Sequence, residues 1–112
     1  MKQSPIFSKT YDLLIWLIPL TIKFPRSHRF VMAETLQQDA LQFQSRLIEA
    51  AHLKDSLPRL IAADAELDKL RTHVRLSRDL QLISPGQYEH AAGMLIEIGR
   101  LLGGWKKSVA NG

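Results

Sequence analysis

An all-α, up-down antiparallel four-helix bundle is the fold predicted for this chain of 112 residues, taken as a single domain, 1–112. Three observations predict it. Apolar residues recur at alternating three- and four-residue steps through separate stretches, the spacing that lays a buried seam along one face of a helix. The stretches are joined by short connections, which link antiparallel neighbours. Serine–proline pairs at two of the joints are helix-start signals. A hydrophobic content of 46% is enough for one core.

The first helix is expected over about 6–22, with Ser4 as cap and Pro5 in the first turn. Phe7, Tyr11, Leu14 and Ile18 form one seam, and Leu13, Trp16, Leu17 and Leu20 occupy most of the remaining surface. A helix apolar nearly all round needs more burial than one bundle face supplies. Trp16, Leu17 and Leu20 are therefore expected at a subunit interface of a homo-oligomer. Pro19 should kink the helix or end its regular part. The apolar run Leu13–Leu20 spans eight residues, against roughly 20 needed to cross a bilayer. No small-residue cleavage site follows it. It reads as a buried helix of a soluble protein, with no membrane partner.

Lys23–Phe30, KFPRSHRF, reads as a connection, because Pro25 biases Phe24 toward extended backbone. It is the densest basic cluster in the chain, with Lys23, Arg26 and Arg29, and it leads into a helix N-terminus that favours anions. An exposed polar loop is the alternative. The second helix is expected over about 27–54, with Met32, Leu36, Ala40, Phe43, Leu47 and Ala51 as its seam. Asp55 or Ser56 should cap the third, over about 57–83. Its seam is Leu60, Ala63, Leu67, Leu70, Val74 and Ser77. The fourth, over about 85–108, has the clearest start: Ser84, Pro85 and Gln87 meet the requirements of a capping box. Tyr88, Ala91, Leu95, Ile98, Leu102, Trp105 and Val109 form its seam, and Gly99 and Gly103 would let a neighbouring backbone approach closely.

The third helix carries the candidate site. Arg71, Arg75 and Arg78 follow helical spacing on a face away from its seam, and Lys69 adds a fourth cation. Asp64, Glu66 and Asp68 crowd the preceding turns. Such a helix can hold a fold together and also meet an anionic partner; the alternative is a solvated face with Asp68–Arg71 and Arg75–Asp79 pairs. The net charge of +4 points the same way without identifying the partner. Aromatic residues make up only 7%, which disfavours a stacking platform for single strands.

No enzyme is expected. The four histidines fall on different segments without shared ligand spacing, and Asp64 with Asp68 is an ordinary helical carboxylate pair. There is no phosphate-binding glycine loop and no activated-serine motif, so no catalytic residue, metal or cofactor is assigned. Without cysteine there is no disulfide framework, and a reducing, cytoplasmic location is expected.

Three stretches carry a resemblance: KFPRSHRF, LIAADAELDKLRTHVRL and SPGQYEHAAGMLIEIGRLLGGWKKS. Over about Tyr11 to Ser108 the chain resembles the accessory variability determinant (Avd) proteins of diversity-generating retroelements. These lie within the four-helix-bundle family that includes proteins encoded in intervening sequences of bacterial 23S ribosomal RNA genes. The resemblance implies a homopentameric barrel with a basic surface. It implies association with a reverse transcriptase and its template-repeat RNA, or an RNA/DNA hybrid, in the synthesis of mutagenised cDNA. The number five rests on the resemblance alone. The family's basic positions carry over to Arg71 and Arg75 through the central motif, and to Arg26 and Arg100 through the flanking ones; Lys69 and Arg78 come from helical spacing. The alternative is an oligomeric bundle of the intervening-sequence type, RNA-associated or a general interaction module, with no polymerase partner.

Overall fold

Residues 5–112 are described by a computed structural model, and among them every regular element is helical. Helix α1 is Pro5–Ile22 and α3 is Ser56–Asp79. Helix α4 is Pro85–Asn111. Helix α2 covers 26–52 in three pieces: an α-turn Arg26–His28, a π-helical stretch Arg29–Ala33 and an α-helix Glu34–His52. The Ser4 cap expected for α1 lies outside the described residues.

Each helix packs on its sequence neighbours, and α1 closes the ring against α4. Cross-helix contacts fix the directions. Phe7, early in α1, meets Trp105, late in α4, edge-on at 5.8 Å, and Trp16 meets His90 at 4.8 Å. Gln37 Nε2 donates to Thr21 Oγ1 at 2.9 Å where α1 ends and α2 begins. Lys106, late in α4, reaches Asp64 in the first half of α3. Neighbours therefore run antiparallel, as the short connections predicted. The bundle measures 46 × 23 × 20 Å.

The seams of α2, α3 and α4 hold most of the core. Leu36, Ala40, Phe43 and Leu47 of α2 are buried, as are all six seam residues expected in α3. On α4, Ala91, Leu95, Ile98 and Leu102 are buried, with Tyr88, Trp105 and Val109 packed partly against them. At the end of α2 the burial passes to Ala50, one residue before the expected Ala51.

Helix α1 corrects its expected seam. Its buried face is Ile6, Thr10, Leu13, Leu14, Leu17 and Thr21, whereas Tyr11 is 59% exposed. Threonine is small enough to line a core and can return its hydroxyl to the backbone, as Thr21 does to Ile18 O at 2.8 Å. Pro19 lies inside α1, and the helix continues to Ile22.

Boundaries differ for physical reasons. The basic connection shortens to Lys23–Pro25, because Arg26 already begins helical structure. Neither Asp55 nor Ser56 caps α3: Asp55 makes no side-chain cap bond, and Ser56 Oγ donates back to Ala50 O at 3.2 Å. Helix α3 stops at Asp79, short of Ile83. Gln81 takes a left-handed φ of 63°, Leu82 N–H donates to Ser77 O and Gln81 N–H to Arg78 O. That pair of bonds is a Schellman stop, usually made by glycine at the left-handed position. The Ser84–Gln87 capping box forms as expected. Helix α4 then runs past 108 to Asn111, through the residues expected to fray. No helix among the described residues is long and apolar enough to cross a membrane.

Candidate functional site

The charges on α3 divide into two groups. Of the three acids in its first half, Asp64, Glu66 and Asp68, the first two are engaged by neighbouring cations, and Asp68 is exposed without an ion pair among the described residues. Asp64 Oδ2 accepts from Lys106 Nζ at 2.7 Å. Glu66, its side chain only 11% exposed, accepts from Lys69 Nζ at 3.2 Å and lies 3.7 Å from Arg46 Nε of α2. Arg46 and Arg59 also flank Glu49, at 3.5 and 3.9 Å. Lys69, a candidate binding residue, is therefore tied to Glu66, although it remains 60% exposed.

In the second half the cations outnumber the acids. Arg75 is exposed and makes no hydrogen bond or ion pair among the described residues. Arg71 is half-buried, also without a carboxylate, its guanidinium lying against Gly99 of α4. Arg78 pairs with its neighbour Asp79 at 2.9 Å, and its Cζ stands 4.4 Å from the centre of the Tyr88 ring, a cation–π distance. The Asp68–Arg71 and Arg75–Asp79 pairs of the solvated-face alternative do not form among the described residues. Asp79 is held by the residue beside it instead. Between α3 and α4, a cleft of about 210 Å³ is lined by Arg71, Val74, Tyr88, Ala92, Leu95 and Ile96.

The remaining candidates are dispersed. Arg26 and Arg29 stand at the start of α2, with Arg29 Nε donating to Phe24 O at 3.1 Å. They share a groove of about 420 Å³ with Ile22, Phe30 and Gln37. Antiparallel topology puts them at the same end of the bundle as Arg78. Arg100 grips Glu97 with two bonds, at 3.1 and 2.7 Å. The pair holds the Glu97 carboxyl below its usual range, chiefly through the hydrogen bond from Arg100, and raises Arg100 in turn. Its charge is thus largely matched on its own helix.

Leu17, 2% exposed, belongs to the protomer core, and Trp16 and Leu20 pack partly against that core. Burial inside one chain leaves Leu17 nothing to offer another. The apolar side chains that α1 does expose are Tyr11, Ile15 and Ile22, each close to 60%. They follow helical steps of four and seven, and no sequence signal distinguished them from the buried ones. The partners of the charged residues were equally hidden, since Lys106–Asp64 and Arg78–Tyr88 depend on how helices meet. Among the described residues, no group of three or more histidine, aspartate or glutamate side chains could hold a metal ion.

Comparison with known families gives one match: the family described as bAvd-like, over residues 5–109. No curated protein matches the sequence.

Proposed function

We propose, because the chain belongs to the bAvd-like family, that it serves a diversity-generating retroelement as the accessory protein that joins the reverse transcriptase to template-repeat RNA. It does no chemistry itself; it presents a charged surface on which polymerase and template meet. The observation that carries this reading is the second half of α3, where Arg71 and Arg75 stand without a carboxylate partner while Asp64 and Glu66 are engaged by other cations. An unmatched guanidinium keeps its fork of donors available for phosphate or carboxylate.

Assembly belongs to the same reading. A homo-oligomer, five-fold by the family resemblance, would cover the exposed Tyr11, Ile15 and Ile22 of α1 together with Leu41 and Ile48 of α2. These residues replace Trp16, Leu17 and Leu20 as the proposed contacts between subunits. The accessory role places the protein beside the polymerase in the cytoplasm.

Co-purification tests the reading. The protein should retain a reverse transcriptase of a diversity-generating retroelement and a labelled template-repeat transcript, and RNA retention should fall steeply with added salt as released counterions dictate. Retention of neither partner would leave an interaction bundle of the intervening-sequence type. Ile15→Asp should reduce the sedimenting species toward the protomer without loss of helicity, because a charge buried between subunits is costly.

A further inference from the structure

Where α2 turns into α3, the bundle gathers more positive charge than its own carboxylates match. Arg46, late in α2, and Arg59, early in α3, both bring Nη1 toward one oxygen, Glu49 Oε1, at 3.5 and 3.9 Å. Glu66 is shared in the same way, 3.7 Å from Arg46 Nε and 3.2 Å from Lys69 Nζ. Among the described residues, three cations thus face two carboxylates in this cluster.

The arginine contacts are also poorly made. A guanidinium–carboxylate bond runs about 2.7–2.9 Å when both groups are free to meet, and none of these three comes close to that. The Nε atoms of Arg46 and Arg59 are shut off from solvent and have no hydrogen-bond partner among the described residues. A buried donor left unpaired is costly, so packing between α2 and α3 holds two under-used guanidinium groups against one oxygen. Their outer ends stay accessible: the side chains of Arg46, Arg59 and Glu49 are 39%, 36% and 40% exposed.

We infer that Arg46 and Arg59 form a binding site for a phosphate group, in which the Glu49 carboxylate is a resident stand-in. Glu49 Oε1 marks where one oxygen of the bound anion sits, between the two guanidinium forks. Phosphate suits the place better than the carboxylate does. It carries more charge, and its several oxygens let each fork take its own acceptor instead of sharing one. Glu49, being half exposed, swings into solvent as the anion enters. The site lies at the end of α3 opposite Arg78, and its two arginines are not among the basic residues that the sequence singled out. Its chemistry is contained in α2 and α3 and does not depend on the accessory role proposed above.

Calorimetric titration of the full chain with inorganic phosphate, at an ionic strength held constant with chloride, tests the site. The parent should bind phosphate saturably. Arg59→Gln should weaken binding about tenfold, the scale of one charge-assisted contact. Arg59→Lys should recover part of that loss, because charge returns without the fork. Glu49→Gln should bind phosphate more tightly than the parent, since the competing carboxylate is gone. A purely structural ion-pair cluster would show no such gain. Absence of saturable binding in the parent, or equal binding by the parent and Arg59→Gln, overturns the site. Unchanged or weaker binding by Glu49→Gln overturns the stand-in role of its carboxylate. The same variants titrated with a fluorescein-labelled template-repeat transcript identify the source of the phosphate. Transcript affinity that follows the order of the phosphate affinities assigns the site to a nucleic-acid backbone. Transcript affinity that ignores that order assigns it to free phosphate, and the site stands in either case. Should Glu49→Gln fail to fold, the two Arg59 variants still decide whether phosphate binds between these helices.

Discussion

Within the single helix α3, the turns around Asp64–Lys69 and the turns around Arg71–Arg78 are both charged and use their charges differently. In the first, carboxylates and cations from α2, α3 and α4 face one another: Asp64 with Lys106, and Glu66 with Lys69 and Arg46. In the second, Arg71 and Arg75 lack a carboxylate, and Arg78 has only the adjacent Asp79 and the Tyr88 ring. Matched charges tie neighbouring helices together, whereas unmatched ones remain available to another molecule. A count of charges separates the two groups by sign, and their partners show which charges are matched.

The contrast predicts separable phenotypes. Arg71→Ala combined with Arg75→Ala should have the largest effect, a loss of polymerase or RNA binding of about a hundredfold, on the order of 3 kcal/mol. Circular dichroism and sedimentation should remain as in the parent, because both residues lie off the Leu60–Leu67–Leu70–Val74 seam. Lysine at both positions should restore binding only partly, since lysine keeps the charge and loses the planar fork. If the double alanine variant misfolds, the two halves of α3 do not differ as described.

Glu66→Gln should give the converse result. It removes the negative charge facing both Lys69 and Arg46 and replaces one acceptor oxygen with a donor at a nearly buried position. Urea unfolding should show a loss of about 1–2 kcal/mol, with partner binding unchanged. Asp64→Asn should cost less, about 0.5–1 kcal/mol, because that pair is more exposed, at 30% for Lys106 and 44% for Asp64.

Arg100→Ala should do least. The guanidinium is fully exposed and paired within its own helix turn, so salt at about 0.15 M screens its contribution. The sign with pH is fixed by Glu97, whose folded pKa is depressed. Any stabilisation is present above the ordinary glutamate value and disappears as pH falls through the lowered one. Melting curves of parent and variant should therefore coincide at acid pH and differ only slightly near neutrality in low salt. A large loss of polymerase binding in Arg100→Ala would extend the exposed cationic surface onto α4.

How legible each part was in sequence follows from how much of its context is local. The seams of α3 and α4 were readable because apolar and polar residues alternate there with helical period, and one face only is buried. The Ser84 capping box was readable because it is complete within four residues. Helix α1 was not, because leucine and isoleucine occur on every side and the decisive buried positions include Thr10 and Thr21. The end of α3 was hidden by Gln81 occupying a left-handed position with no glycine to announce it. Arg71 and Arg75 could be placed off the seam by spacing alone. Which cations stay unmatched could not be foreseen, since Lys106 and Asp64 are 42 residues apart and meet only through the bundle.

The π-helical stretch Arg29–Ala33 separates two inheritances within α2. A π-turn amounts to one additional residue accommodated in a helix, and a residue advances an α-helix by about 100°. Downstream, Leu36, Ala40, Phe43 and Leu47 keep their phase with the core. Upstream, the direction in which Arg26 and Arg29 project is set by a different phase. The stretch itself seats Met32 and Ala33 in the core, so the change of phase is anchored in the bundle interior and the basic entrance of α2 is aimed from there.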